Sequence, residues 1–306
     1  MKSCLPGGFL RRARQGNCGE ADLVEQIIVN GVLAGLIYVI MALGFTLVFG
    51  IMRIVNFAHG EFYMIGAMSV VVLFGWAGLP FFLSVLLGGA IAALLGVAME
   101  RVLIRPVVSS EMHGMIMTLA IGIILQSLAL IFFGPAEQPV PRPFAGTWAL
   151  GRATVPLDRT VVAISAIVIL AAFYAMLKFT RVGLAMQAVA QDRETASLMG
   201  IEEGRIYALA FGTSCFMAGL AGALMAPVFT VGPYMGELAV MKAFVIVILG
   251  GLGSIPGAVI GGLLIGLSES VLATLFNPTT ALIASFAIVL LIVIVKPTGL
   301  MGRSAR

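Results

Sequence analysis

The sequence predicts an all-α, polytopic membrane bundle of about eight or nine transmembrane segments. Three observations predict it. Only 10% of the 306 residues are charged and mean hydropathy is +1.11, whereas a soluble domain carries about 25% charged residues. Water could not solvate the surface of such a chain. The apolar residues fall in long runs, most near the ~20 residues that cross a bilayer as a helix, rather than in the ~10-residue alternating segments of a barrel. The 37 glycines suit helices that approach closely in lipid.

Along the chain, residues 1–21 read as a disordered tail. Arg11-Arg12 is a twin arginine, but no apolar core follows before Leu23, so a signal peptide is not indicated. Residues 22–303 form one transmembrane domain. Its apolar runs are Ile27–Phe49, Phe57–Trp76, Phe81–Met99, Met112–Phe133, Thr160–Leu177, Ile206–Val228, Leu238–Leu249, Ala258–Ala273 and Ala281–Val295. The short pair around Gly250–Gly257 is either two thin crossings or one broken helix, because glycine and proline at that density interrupt a helix.

Orientation follows from the basic residues. Arg101 and Arg105, then Lys178, Arg181, Arg193 and Arg205, then Lys296 and Arg303 mark one side as cytoplasmic. The loop Gly134–Arg159, with five prolines and a hairpin-like stretch Thr147–Val155, then lies outside. If Arg53 marks a full turn on the inside, counting back puts the N-terminus outside, against Arg11, Arg12 and Arg14. A re-entrant Gly50–Gly60 or a different start would remove that conflict. The net charge of +4 is spread over loops and gives no nucleic-acid footprint. Cys4, Cys18 and Cys215 have no metal-ligand spacing and imply no disulfide framework.

Three constellations stand out. The segment 181–205 (RVGLAMQAVAQDRETASLMGIEEGR) is an island of charge between two apolar runs. Asp192 is positioned to cap a short helix Arg193–Met199 that Gly200 ends, and Val182–Ala190 fits a preceding helix. The island reads as a docking element for a soluble partner, or else as a solvated loop of capped helices. Second, Arg53, Asn56, His59, Gly60 and Glu61 lie between two apolar runs. Inside the membrane they would be costly and functional; at its surface they are a tight turn with Glu61 near a helix N-terminus. Third, GGLGSIPG, with Gly250, Gly251, Gly253 and Ser254, is either a discontinuity beside a substrate path or a turn. Lys242 and Glu269 are isolated ionisable residues in or near apolar runs, suited to pairing, to a pathway or, for Lys242, to snorkelling.

Absent motifs narrow the field. No G-x-x-x-x-G-K-[ST] occurs, so any ATP hydrolysis must come from a partner. H-E-x-x-H and G-x-S-x-G are absent, which argues against an intramembrane enzyme. One Asn277-Pro278-Thr279 without a second copy is not a water-channel pattern.

Five collinear stretches resemble a known family: Ala42–Ala67, Glu100–Pro106 (ERVLIRP), Arg181–Ile201, Leu249–Ser270 and Lys296–Arg303 (KPTGLMGR) are similar to the LivH-type permease of branched-chain amino acid ABC importers. The resemblance implies a permease domain over 22–303 with no cofactor of its own. It implies as partners a LivM-type second permease, LivG- and LivF-type ATPase subunits and a periplasmic amino-acid-binding protein, in a bacterial inner membrane. The island then matches the family's coupling segment, with Arg181, Gly183, Ala190, Asp192, Arg193, Glu194 and Gly200 at the ATPase. A substrate path near Asn56, His59, Gly60, Glu61, Gly250, Gly251, Gly253, Ser254 and Glu269 is the accompanying expectation. A relative that carries urea, short amides or other amino acids stays open, as does a gradient-driven transporter using Glu61 and Glu269.

Overall fold

The computed structural model describes residues 8–107, 111–150, 153–296 and 299–301. Each of the nine apolar runs is realised as a helix, with ends shifted by a few residues near Phe57 and Val228. The crossings are α1 (Gly8–Met52), α2 (His59–Val70, continued by a π-helical stretch Val71–Trp76), α3 (Phe81–Met99) and α4 (Glu111–Phe133). A hairpin follows, β1 (Thr147–Leu150) against β2 (Ala153–Pro156), antiparallel with Thr147 opposite Pro156. Then come α5 (Leu157–Phe179), two short helices α6 (Arg181–Gln191) and α7 (Arg193–Leu198), and the crossings α8 (Glu203–Met225), α9 (Met235–Gly250), α10 (Ile255–Leu275) and α11 (Pro278–Val295). Six segments are long and apolar enough to cross a membrane by length and composition. The chain is a multi-pass membrane protein. Because α1 begins at Gly8, residues 8–21, expected to be a disordered tail, are continuous with the first crossing here.

α8 is the hub: 83% of its most apolar window is buried, against 28% for α4. Leu94, Ile131, Phe132 and Ile294 instead point outward, which is where lipid solvates them. Small residues let the backbones touch around α8. A methyl on Gly66 would stand 2.0 Å from Gly219 O, and one on Gly222 only 1.9 Å from Tyr63 O. α1 and α10 share a similar seam through Gly31, Gly35, Gly262 and Gly266. Dispersion between closely packed backbones supplies the attraction that burial from water cannot supply in lipid.

The ends of the bundle are defined by contacts. Gly50 meets Gly253, Ile54 packs on Gly114, Arg105 donates to Gly204 O, and the amides of Leu300 and Met301 donate to Leu249 O and Gly250 O. These loops therefore share one end, and it carries Arg53, Arg101, Arg105, Lys178, Arg181, Arg193, Arg205 and Lys296. The positive-inside rule makes it the cytoplasmic end. At the other end Arg159 reaches Asn30 and Ser270 donates to Ile27 O. α1 thus enters from outside, and Arg11, Arg12 and Arg14 run against the charge bias.

The expected break at Gly250–Gly257 is a turn between two crossings, not one interrupted helix. Gly250 and Gly257 touch, and Gly261 touches Ile246 O, so α9 and α10 run antiparallel. Gly251 (φ 102°) and Gly253 (φ 80°) take backbone conformations that L side chains resist, and Ser254 Oγ accepts from Gly257 N at 3.2 Å to start α10.

Candidate functional site

Two polar clusters lie in the interior of the bundle. The first is built by backbone. α1 stops at Met52, and Arg53 turns the chain with φ 56°, a left-handed conformation uncommon outside glycine. Residues 53–58 then climb back beside α4 without forming a helix. Thr118 accepts from Phe57 N at 3.2 Å and faces Val55 O at 3.2 Å, while His59 N donates to Asn56 O at 3.2 Å. Non-helical backbone at this depth survives because protein partners it. Gly50–Gly60 therefore makes a full turn at the cytoplasmic end and climbs back into the bundle, rather than the re-entrant excursion that would have removed the conflict with Arg11, Arg12 and Arg14.

Depth follows from the neighbours. Ser214, midway along α8, has its Oγ 3.3 Å from His59 Nδ1. Gly122, midway along α4, faces Ala58 and Glu61. His59 and Glu61 consequently sit near the bilayer centre. His59 is fully buried, and its Nε2 is 3.0 Å from Met41 O. A carbonyl can only accept, so Nε2 carries the proton and Nδ1 accepts from the Ser214 hydroxyl. Asn56 is 1% exposed, and neither amide atom has a partner among the described residues; Glu61 Oε2 also has none. Gly60 permits the crossing itself, since a methyl there would meet Gly236 O at 2.1 Å.

The second cluster is built by side chains. Lys242 Nζ donates to Glu269 Oε1 at 2.6 Å and to Tyr38 Oη at 2.7 Å; Tyr38 Oη–H donates to Glu269 Oε2 at 2.9 Å. Lys242 Nζ also stands 4.7 Å from the Tyr38 ring centroid. Lys242 lines the deep wall of a cavity of about 400 Å³ whose outer rim is Pro135, Glu137 and the segment 229–234. Gln138 and Val231 exchange backbone hydrogen bonds across that rim.

At the cytoplasmic end the island forms two capped helices. Thr180 Oγ1 accepts from Gly183 N at 3.0 Å to start α6. Asp192 Oδ1 accepts from Thr195 N at 3.1 Å to start α7, and Gly200 (φ 84°) ends it. Hydrogen bonds from the Thr195 hydroxyl and amide hold the Asp192 carboxyl below the usual carboxylate range. α6 buries Gly183, Met186 and Val189, with Gly183 so close to Met176 and Leu177 that a methyl would clash. Ala190 packs at the core's edge, while Arg181 and Glu194 are exposed. Arg193 faces Glu203 at 3.7 Å and the Tyr207 ring at 5.1 Å, tying α7 to α8. Leu198 and Met199 project 87% and 80% exposed.

Of the expected pathway residues, Asn56, His59, Gly60 and Glu61 come together. Glu269 belongs to the second cluster. Gly250, Gly251, Gly253 and Ser254 lie in the cytoplasmic turn, away from both. The sequence reading missed Tyr38, Thr118 and Ser214, single polar residues in apolar runs whose partners are distant in the chain. It missed the Thr180 cap as well, although a threonine ahead of a helical stretch is a readable signal.

Apolar helices, two intramembrane polar clusters, one of them reached from an outer cavity, and a capped charged segment at the cytoplasmic end define the class: a multi-pass membrane protein built like a transporter. The particular family is shown by likeness. Residues 27–295 match the family model described as "Branched-chain amino acid transport system / permease component", and the chain belongs to that family. It is 35% identical over 294 residues to the high-affinity branched-chain amino acid transport system permease protein LivH of Salmonella typhimurium, covering 91% of this chain and 95% of that one. It is 32% identical over 295 residues to BraD of Pseudomonas aeruginosa, with the same shares. LivM of Escherichia coli is 28% identical over 297 residues, covering 87% of this chain and 68% of LivM.

Proposed function

We propose that this chain is the LivH-type membrane subunit of an ATP-driven importer in a bacterial inner membrane, moving branched-chain amino acids by alternating access. Its partners in this reading are a LivM-type permease, LivG- and LivF-type ATPases and an external amino-acid-binding protein. Family membership supports the cargo, and the likeness to both LivH and LivM supports a paired permease.

The observation that carries the mechanism is the α6–α7 segment. It has a rigid inner face, bolted to α5 through Gly183, and a projecting apolar tip at Leu198 and Met199. A soluble ATPase that seats on this tip can push α6 and α7 as one body. Arg193 passes the movement to Glu203 and Tyr207 on α8. α8 in turn carries Ser214 against His59 and the glycine seam against α2. Closure of the ATPases would thus reach the bilayer centre through one packed helix. Asn56 and Glu61 supply unpartnered polar atoms there for a passing polar group.

The test is uptake by the complete complex in proteoliposomes. ATP-dependent leucine uptake that Leu198→Asp abolishes together with ATPase co-purification is expected. Uptake of urea instead of leucine sinks the cargo. Uptake driven by an ion gradient without ATP sinks the mechanism.

A further inference from the structure

The Tyr38–Lys242–Glu269 cluster is unlike the usual buried ion pair, because it is not sealed. Its two charged side chains are 22% and 21% exposed. Among the described residues lining the outer cavity, Lys242 is the one cation. The one acid among these lining residues, Glu137 at the rim, is engaged by the Thr230 hydroxyl, and Glu269 stands behind Lys242 and Tyr38, which both line the cavity. Glu237, one turn before Lys242, accepts from Gln126 at 2.7 Å. Neither Glu137 nor Glu237 competes for Lys242, whose partners among the described residues are Tyr38 and Glu269.

We propose that this cluster is a clamp for the zwitterionic end of a free amino acid. The inference rests on the reading of the protein as an amino-acid importer, and it names the atoms that would receive the cargo. A zwitterion carries one carboxylate and one ammonium. If the 2.6 Å contact between Lys242 and Glu269 opens, the incoming carboxylate replaces Glu269 at Lys242, and the incoming ammonium replaces Lys242 at Glu269. One internal ion pair becomes two, and no charge is left unpaired in a medium where that is costly. Tyr38 is the positioning residue. Its hydroxyl holds Glu269 Oε2 and its ring faces the ammonium of Lys242, so both partners stay oriented while apart. Met225, Leu238 and Ala239 line the same cavity and offer apolar contact to a branched side chain. At about 400 Å³ the space lies within the range of small-molecule sites.

The clamp predicts a strict requirement: both charges on the cargo and both on the protein. In the complete complex, Lys242→Met with Glu269→Gln removes the pair together, which a purely structural ion pair tolerates. Assembly with the ATPases is expected to persist while leucine uptake falls roughly ten- to a hundredfold. Uptake within about twofold of the parent complex overturns the clamp and leaves the importer reading standing. An independent measurement keeps the native pair. Ala239→Cys puts a thiol in the cavity wall, where an impermeant reagent added outside can label it. Leucine is expected to slow labelling, whereas leucinamide, lacking the carboxylate, and 4-methylpentanoate, lacking the ammonium, leave it unchanged. Equal protection by all three, or none by saturating leucine, overturns the clamp. A parent complex that hydrolyses ATP yet imports no branched-chain amino acid overturns the functional reading, and the clamp with it.

Discussion

The two interior clusters solve the same electrostatic problem in opposite ways. Around Asn56, His59 and Glu61 the geometry is imposed by backbone: a left-handed turn at Arg53, an extended climb beside α4, and glycine crossings that fix α2 against α8 and α9. The side chains there are passengers, and three of their polar atoms find no partner. Around Lys242 the reverse holds. Three side chains from three helices define the cluster, and every charge is answered. A cluster held by its scaffold can keep polar capacity in reserve. A cluster held by its own charges must exchange partners to bind anything.

That contrast can be broken by mutation. The largest effect is expected from opening the self-satisfied cluster on one side only. Glu269→Ala leaves the Lys242 ammonium without its counter-charge in the bundle and should cost roughly 3 kcal/mol. Thermal unfolding in detergent would reveal it as a lowered midpoint, and an unshifted midpoint would mean the pair is effectively solvated. Next is the scaffold of the other cluster. Gly66→Ala drives a methyl to 2.0 Å from Gly219 O, and parting the helices should cost about 2 kcal/mol. The same unfolding assay reads it, and a neutral result would show the α2–α8 seam to be looser than drawn.

Asn56→Leu should then cost less than about 1 kcal/mol, since an amide that makes no hydrogen bond has none to lose. Uptake by the assembled complex should nevertheless drop. A large loss of stability would erase the difference between the clusters by showing that Asn56 is partnered. The smallest expected effect is the pH response of α7. The Asp192 pKa is lowered in the folded chain, so its cap is intact above the ordinary carboxylate pKa and fails as pH falls through the lowered one. ATPase co-purification with the parent should weaken only in strong acid, and Asp192→Asn should flatten that dependence. Equal acid sensitivity in both would assign it elsewhere.

The crossings were legible because an apolar run long enough to span a bilayer has few alternatives to a helix. The Asp192 cap and the Gly200 stop were legible for a local reason too, since donor, acceptor and glycine lie within nine residues of one another. The second cluster was not. Tyr38 lies 231 positions from Glu269 and 204 from Lys242, and one tyrosine in an apolar run carries no local trace of either partner. The direction of the chain after Gly250 was ambiguous for a related reason. Glycine and proline end a helix whether the chain continues or folds back, and the Gly250–Gly257 contact decides between them. The non-helical climb after Arg53 was half legible: the density of polar residues marked it, but its depth is set by Gly122 and Ser214 on other helices.

The number of crossings carries a consequence for how such proteins can be joined. If each of the nine described apolar helices crosses once, with α1 entering from outside, α11 ends inside and the two ends of the bundle lie in different compartments. Two copies, or this chain and a relative of the same parity, cannot be spliced end to end through a simple soluble tether. The tether itself would have to traverse the bilayer once, or one bundle would insert upside down. A single-chain version of a paired permease therefore needs an added hydrophobic segment. A reporter enzyme attached to each terminus should answer from opposite sides of the same membrane.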